Sequence, residues 1–133
     1  MKAMTSNPIR SIPLKARLVC ADNSGAKELE LINVKNYKGK LRRIPKAGVG
    51  DVIICSVKKG KEKLRHEVVY GVVVRQKQGF MRSDGTRIKF QDNAAVLVNA
   101  KTYEPLGTEI RSVIAKEVVE RFSVIGKIAS IVV

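Results

Sequence analysis

Short apolar runs separated by turn residues constrain the fold of this chain more than any other feature. Up to about residue 100 the runs are brief, and Gly, Asn, Asp or Pro closes most of them. Five of them are predicted strands: ARLVCA (16–21), KELELINV (27–34), DVIICSVKK (51–59), EVVYGVVVRQ (67–76) and NAAVLVNA (93–100). Strands of this length and spacing are typical of an all-β sandwich or barrel rather than of an α/β fold. A chain of 133 residues corresponds to a single domain.

Two local features modify this β pattern. Gly71 interrupts the fourth run, which predicts either a sharp bend or a close approach of two backbones. After Pro105 the periodicity changes, and SVIAKEVVERF (112–122) places its apolar side chains on one helical stripe, with Ser112 as the expected N-cap. The tail KIASIVV (127–133) is compatible with a final strand.

The segment FMRSDGTRIKF (80–90) predicts a β-hairpin. Asp84-Gly85 is a signal for a two-residue type I′ turn, because both turn positions need a positive φ. In that register Arg82 lies directly opposite Arg87, and both share a face with Lys89. Two arginines opposed across a ladder repel each other. The hairpin therefore predicts that phosphate groups lie over this face.

The charge distribution points to the same kind of partner. The chain carries 26 basic and 12 acidic residues, for a net charge of +14. Residues 1–34 contribute +2, residues 35–89 contribute +12 from sixteen bases and four acids, and residues 90–133 are neutral. Such an excess favours an anionic partner, with nucleic acid ahead of a membrane surface. A membrane surface is the weaker candidate because binding to it would call for a basic amphipathic helix, and the one candidate helix carries balanced charge.

The basic middle segment supplies the candidate RNA contacts, although charged runs of this kind can also be solvated loops. Aromatic residues make up 5% of the chain and Trp is absent, so few rings are available to stack on bases. Phosphate and 2′-hydroxyl contacts to a folded RNA fit better. The predicted RNA-binding residues are Lys35, Lys38, Lys40, Arg42, Arg43, Lys46, Lys58, Lys59, Lys61, Arg75, Lys77, Arg82, Arg87 and Lys89.

Catalytic and metal-binding patterns are not evident. His66 is the single histidine and is more simply a surface residue, and one histidine with two cysteines does not make a zinc site. Cys20 and Cys55 lie in apolar runs and are interpreted as reduced core residues. We therefore expect no enzyme, no metal and no cofactor. The first residues lack the apolar core of a signal peptide, so a cytoplasmic location is expected.

Several motifs together resemble the universal large-subunit ribosomal protein L-fourteen family. Their order and spacing carry the resemblance, which covers about residues 14–133. The matching residues are Ala21–Ala26, Val49-Gly50-Asp51, Ser56-Val57-Lys58, Gly71–Val74, Asp84-Gly85, Phe90, Asn93–Leu97 and Pro105–Thr108. The segment GFMRSDGTRIKFQDNAAV (79–96) and the loop at residues 37–43 resemble the archaeal and eukaryotic branch of this family.

The resemblance implies a mainly β fold, namely a small closed five-stranded, OB-like β-barrel with a basic hairpin and short C-terminal α-helices. In a single domain, residues 1–13 would be an N-terminal extension, 14–100 the barrel and 101–133 a C-terminal loop, helix and strand. The implied partners are large-subunit ribosomal RNA, neighbouring large-subunit proteins, small-subunit ribosomal RNA across the interface, and a factor that blocks subunit joining. On the C-terminal side, the residues predicted near such a partner are Thr108, Arg111, Lys116 and Lys127.

Two points stay open at the level of sequence. Bacterial relatives usually carry Arg after the Gly-Thr pair, whereas this chain has Glu109, so bacterial contacts do not transfer to that position. The alternative function is a free-standing RNA-binding chaperone or translation factor on the same small barrel. Such a protein would bind many RNAs and be found mainly off ribosomes.

Overall fold

The computed structural model describes all 133 residues, which form eleven short strands and two short helices. The strands are β1 (Ile12–Pro13), β2 (Arg17–Cys20), β3 (Ala26–Val34), β4 (Lys46–Ala47), β5 (Val52–Gly60), β6 (Val68–Arg75), β7 (Phe80–Met81), β8 (Arg87–Ile88), β9 (Ala94–Val98), β10 (Ile110–Ile114) and β11 (Ala129–Val132). The helices are α1 (Lys116–Arg121) and α2 (Ser123–Ile128).

Five strands close into a barrel in the order β2-β3-β5-β6-β9. Four neighbouring pairs are antiparallel, and the parallel pairing of β2 with β9 closes the barrel, with Val19 opposite Ala94 and Cys20 opposite Ala95. These are the five strands that the sequence predicted, within two residues at each end. The prediction of a mainly β, closed five-stranded barrel with short C-terminal helices is confirmed.

Two apolar clusters account for the near-continuous hydrophobic runs of β6 and β9. Val73 and Leu97 belong to the cluster that also contains Leu29, Ile53 and Cys55 of the neighbouring barrel strands. The alternate residues of the same two strands face a second cluster, which they form with the C-terminal segment. Its members include Val72, Val74 and Val96 of the barrel and Ile110, Ile114, Val118, Phe122 and Ile125 of the C-terminal segment. Both faces of β6 and β9 are thus buried, which is why these strands lack polar alternation.

Gly71 lies where two barrel strands approach closely. It pairs with Ile53 on one side and Leu97 on the other. A Cβ at this position would lie 3.2 Å from the carbonyl oxygen of Val96. Of the two sequence alternatives, the structure thus supports the close backbone approach.

The segment after Pro105 differs from its prediction. The helix predicted over 112–122 is shorter, because residues 112–114 belong to strand β10; Ser112 is therefore not an N-cap, and α1 begins after Ala115. The reason is tertiary, because β10 pairs in parallel with β11 and buries Ile110 and Ile114. The predicted final strand is confirmed as β11. At six residues, neither helix has the length or apolar character that a membrane crossing requires.

The hairpin forms, but the predicted register is wrong by one residue. Met81 pairs with Arg87, and the Arg82 N–H donates to the Thr86 carbonyl over 2.8 Å. The loop therefore contains three residues and ends at Gly85, whose φ of 89° is left-handed. This register places Phe80 and Ile88 against the core, whereas the predicted one would have turned Met81 inward. Because a one-residue slip reverses every side chain, burial of Phe80 decides the register.

Candidate nucleic-acid interface

The predicted RNA-binding residues fall into three groups that differ in what they contact. Nine of the fourteen are exposed and form no ion pair within the chain: Lys38, Lys40, Arg42, Arg43, Lys46, Lys61, Lys77, Arg87 and Lys89. They lie on loops, on the two-residue strands β4 and β8, and beside the hairpin. Their ammonium and guanidinium groups are free to meet phosphates.

The loop between β3 and β4 carries four of these nine cations, more than any other loop of the chain. It bends through a left-handed residue at Arg42, whose φ is 65°, and Arg43 N–H donates to the Lys40 carbonyl over 3.1 Å. The same loop exposes two large apolar side chains, since Leu41 is 92% and Ile44 60% accessible. The exposed surface of this loop therefore offers apolar as well as cationic groups. Sequence reasoning noted the cations and missed the apolar residues.

Three predicted contacts are instead bound inside the protein. Arg75 forms a 3.0 Å ion pair with Asp92 and donates to the Val113 carbonyl, which ties β6 to β10. Lys35 donates to a backbone carbonyl and lies over the rings of Tyr70 and Tyr103, at 5.5 and 4.8 Å from their centroids. Such cation–π contacts hold an ammonium group in place.

Arg82 is the third internally bound cation. Its contacts show that the prediction of phosphate over an Arg82–Arg87 pair rested on a wrong register. Arg82 and Arg87 are not opposed, so repulsion between them needs no phosphate to relieve it. The Arg82 guanidinium instead reaches the carboxylate of Glu117 over 2.7 Å and donates to the Val133 carbonyl oxygen. The Glu117 side chain is 1% exposed. Arg82 therefore anchors the hairpin to α1.

Two further predicted contacts, Lys58 and Lys59, belong to an ion-pair network on the barrel wall. Arg17 binds Glu28 over 3.0 Å and Glu30 over 3.1 Å. Lys59 lies 3.4 Å from Glu28, and Lys58 lies 3.9 Å from Glu30. The two carboxylates neutralise much of the positive charge here, so this wall is a weaker anion attractor than the loops.

The residues predicted near a protein or small-subunit partner are all exposed. Arg111 is 87% exposed and contacts Glu109 over 3.3 Å, while Lys116 and Lys127 are exposed on the two helices. The fourth residue, Thr108, is held by hydrogen bonds to Asn23, which is distant in the sequence. Its Oδ1 accepts the Thr108 and Glu109 N–H groups over 2.8 and 3.2 Å, and its Nδ2 donates to the Thr108 hydroxyl over 2.9 Å.

Chemically, the structure offers binding groups rather than reactive ones. Burial raises the pKa of both Cys20 and Cys55 to about 12, which keeps the two free thiols protonated at neutral pH. The backbone N–H of Thr86 holds the pKa of the exposed Asp84 below its ordinary value. No three His, Cys, Asp or Glu side chains come together in a way that would hold a metal ion.

Comparison with known proteins agrees with this basic, non-catalytic surface on a small barrel. Residues 11–133 match the family described as ribosomal protein L14p/L23e. The chain belongs to this family. Two of its relatives are named large ribosomal subunit protein uL14. The one from Thermoplasma volcanium is 53% identical over 133 residues and covers all of both chains, and the one from Methanococcus vannielii is 49% identical over 132 residues and covers 99% of each.

Family membership confirms several predictions at once. The chain is a structural protein of the large ribosomal subunit, not an enzyme, and its location is the cytoplasmic ribosome. Both relatives are archaeal, which agrees with the predicted resemblance of residues 79–96 to the archaeal and eukaryotic branch. Two of the motifs that carried the resemblance connect parts of the fold. Gly71 lies between β5 and β9, and the Asp22-Asn23 turn accepts hydrogen bonds from β9 and from the loop before β10.

Proposed function

We propose that this family member binds large-subunit ribosomal RNA through the unpaired cations of residues 35–89. The observation that carries the proposal is that nine of the fourteen predicted contacts are exposed basic side chains without a carboxylate partner. Lys35, Arg75 and Arg82 are left out of the proposed interface, because each is bound inside the protein. Lys58 and Lys59 lie at its margin, where Glu28 and Glu30 compete for them.

The aromatic side chains support recognition of the RNA backbone rather than of stacked bases. None of the six is fully exposed: Phe80 and Phe122 are buried, and the other four are half-buried. Single-strand binders of the barrel type present aromatic rings to successive bases. A surface of lysines and arginines without such rings fits phosphate and ribose contacts to a folded RNA, which is recognised by shape.

We further propose that the C-terminal side faces the small subunit, its ribosomal RNA and a factor that blocks subunit joining. Residues 90–133 are neutral overall, and they expose Thr108, Arg111, Lys116 and Lys127. Apolar side chains accompany them, since Leu106 is 52% and Ile131 49% exposed. A neutral surface with scattered cations and apolar groups suits protein contact better than the loop surface does.

The RNA proposal is tested by neutralising loop cations and measuring binding to transcribed large-subunit ribosomal RNA of Thermoplasma volcanium. The triple variant Lys40→Gln/Arg42→Gln/Arg43→Gln is compared with Lys15→Gln/Lys27→Gln/Lys101→Gln, which removes the same charge outside residues 35–89. The loop variant should lower affinity at least about tenfold and flatten the salt dependence by about one unit for each lost phosphate contact. Equal losses in both variants would mean that only net charge matters.

Sucrose-gradient sedimentation separates the ribosomal protein from the free-standing factor. After a high-salt wash, an RNA-embedded protein stays with the large subunit, whereas a loosely bound factor moves to the light fractions. For the C-terminal side, Lys116→Glu/Lys127→Glu should impair subunit joining while the protein is still incorporated. Loss of incorporation in that variant would show that the C-terminal side contacts the large subunit instead.

A further inference from the structure

A small polar hollow lies where β6 ends and β9 begins. Five residues line it, and none of them is hydrophobic or acidic: Ser11, Lys77, Gln78, Lys89 and Asn93. They come from four parts of the chain, namely the residue before β1, the connection after β6, the end of the hairpin and the residue before β9. The fold thus brings two ammonium groups, two amides and a hydroxyl around one space.

The hydrogen-bond donors of the hollow are free. Neither Lys77 nor Lys89 forms an ion pair, and the side chains of Ser11 and Gln78 form no hydrogen bond within the protein. The nearest acid in sequence, Asp92, is held by Arg75. A hollow with several free donors, two positive charges and no carboxylate is complementary to an oxyanion.

Asn93 is oriented by the backbone at the edge of the hollow. Its Oδ1 accepts the N–H of Lys77 over 2.8 Å, so the acceptor end of the amide is occupied. Its Nδ2 makes no bond within the protein and remains a donor. Because the bond fixes which end of the amide is free, Asn93 offers an N–H₂ group without having to reorient.

The walls of the hollow are held by a buried glutamine that sequence reasoning did not single out. Gln76 is 0% exposed. Its Oε1 accepts the Val49 N–H over 3.1 Å, and its Nε2 donates to the carbonyls of Ile9 and Gln78 over 3.0 and 2.9 Å. These three bonds fasten the Gln78 side of the hollow to the segment that carries Ser11. A buried amide with its partners satisfied is a rigid support.

We infer that this hollow, lined by Lys77, Lys89 and Asn93, holds a single phosphate group. The inference rests on the proposed function in one respect, since the expected source of the phosphate is the backbone of ribosomal RNA. Free inorganic phosphate or a phosphorylated solute offers the same chemistry. The experiment therefore treats the two sources separately.

The test uses the full chain and two asparagine variants that change charge equally. Asn93→Asp keeps the oxygen that accepts the Lys77 N–H, but it replaces the free donor with a negative charge. Asn99→Asp is the matched control, because Asn99 caps the Lys101 N–H over 3.0 Å in the same way and lies outside the hollow. Both variants should unfold at the wild-type temperature, which separates binding from folding.

Two measurements are made on each protein: affinity for transcribed Thermoplasma volcanium large-subunit ribosomal RNA, and ¹⁵N chemical shifts during titration with inorganic phosphate at constant ionic strength. For the wild type, we expect phosphate to shift the amides of Lys77, Gln78 and Asn93. We expect Asn93→Asp to abolish those shifts and to lower RNA affinity at least about tenfold. The Asn99→Asp control should change affinity by less than about threefold.

The possible outcomes separate this inference from the proposed function. If the wild type binds RNA but the two variants lose affinity equally and phosphate shifts no amide of the hollow, the phosphate site is wrong and RNA binding stands. If RNA does not bind but phosphate shifts these amides, the hollow serves a free phosphorylated ligand. If neither RNA nor phosphate produces an effect, both conclusions are overturned.

Discussion

The Nε of Arg82 lies 2.7 Å from Oε1 of Glu117, and the pair joins the hairpin to helix α1. Both side chains are largely removed from solvent, with exposures of 11% and 1%. Sequence alone places Arg82 among the RNA contacts, since it stands in a basic hairpin. In the folded chain it neutralises a buried carboxylate, so its charge serves the fold.

The first prediction concerns this ion pair. Arg82→Gln should lower the free energy of unfolding by about 3 kcal/mol, because it leaves the Glu117 carboxylate buried without its counter-charge. The double variant Arg82→Met/Glu117→Leu should lose less than Arg82→Gln, since it removes both charges together. Urea unfolding of the isolated chain measures both.

The control is Arg87→Gln, on the same hairpin but exposed, which should change stability by less than about 0.5 kcal/mol. Equal effects at positions 82 and 87 would show that the pair does not stabilise the fold.

The second prediction concerns the tie between the first barrel turn and the loop before β10. Asn23→Ala removes three hydrogen bonds to Thr108 and Glu109 and should cost about 1–2 kcal/mol. Hydrogen exchange at the Thr108 and Glu109 amides should quicken more than exchange in the barrel strands. The control is Asn7→Ala, an exposed asparagine whose side chain makes no hydrogen bond. Unchanged exchange at both amides would contradict this role for Asn23.

The third prediction compares two glycines with positive φ. A Cβ at Gly60 would lie 2.7 Å from the Gly25 carbonyl oxygen and 2.9 Å from the Cα of Ala26, where β3 and β5 meet. Gly85, with a φ of 89°, has no atom within 4 Å of its Cβ position. Gly60→Ala should therefore destabilise the chain by more than about 2 kcal/mol, and Gly85→Ala by only the left-handed strain of about 1 kcal/mol. Thermal unfolding ranks the two, and the reverse order would contradict the close approach.

The fourth prediction concerns pH and Cys55. Burial raises the pKa of its thiol to about 12 from an ordinary value of 9.0. Above pH 9 the unfolded chain loses this proton and the folded chain keeps it, so stability is unaffected below pH 9 and falls between pH 9 and 12. The wild type should lose up to about 1.4 kcal/mol per pH unit more than Cys55→Ala between pH 9 and 10.5. Parallel stability curves for the two proteins would mean that the thiol ionises equally in both states.

The barrel strands were predictable because their information is local. Alternating and continuous apolar runs, closed by turn residues, placed all five strands, and Gly71 marked the close approach. The C-terminal segment was less predictable, because its apolar residues suit a helix and a strand equally. Pairing of β10 with β11 decided between them, and that pairing joins residues 110–114 to residues 129–132.

The candidate interface was predictable in outline and not in detail. Charge counting located the basic segment at residues 35–89, since net charge needs no fold to be counted. It did not separate Arg87, which is free, from Arg82, which is bound to Glu117. It also missed Gln76 as the support of the polar hollow and Asn93 as one of its donors, because neither residue carries a charge.

By itself, then, the sequence determined the mainly β fold, the positions of the barrel strands, the family and the basic segment. Only the tertiary structure decided the hairpin register, the split of the last residues into strand and helices, and which cations stay free. The physical reason is the range of the interactions. Strand propensity and net charge belong to short segments, whereas the burial of Phe80 and the Arg82–Glu117 pair depend on residues distant in the chain.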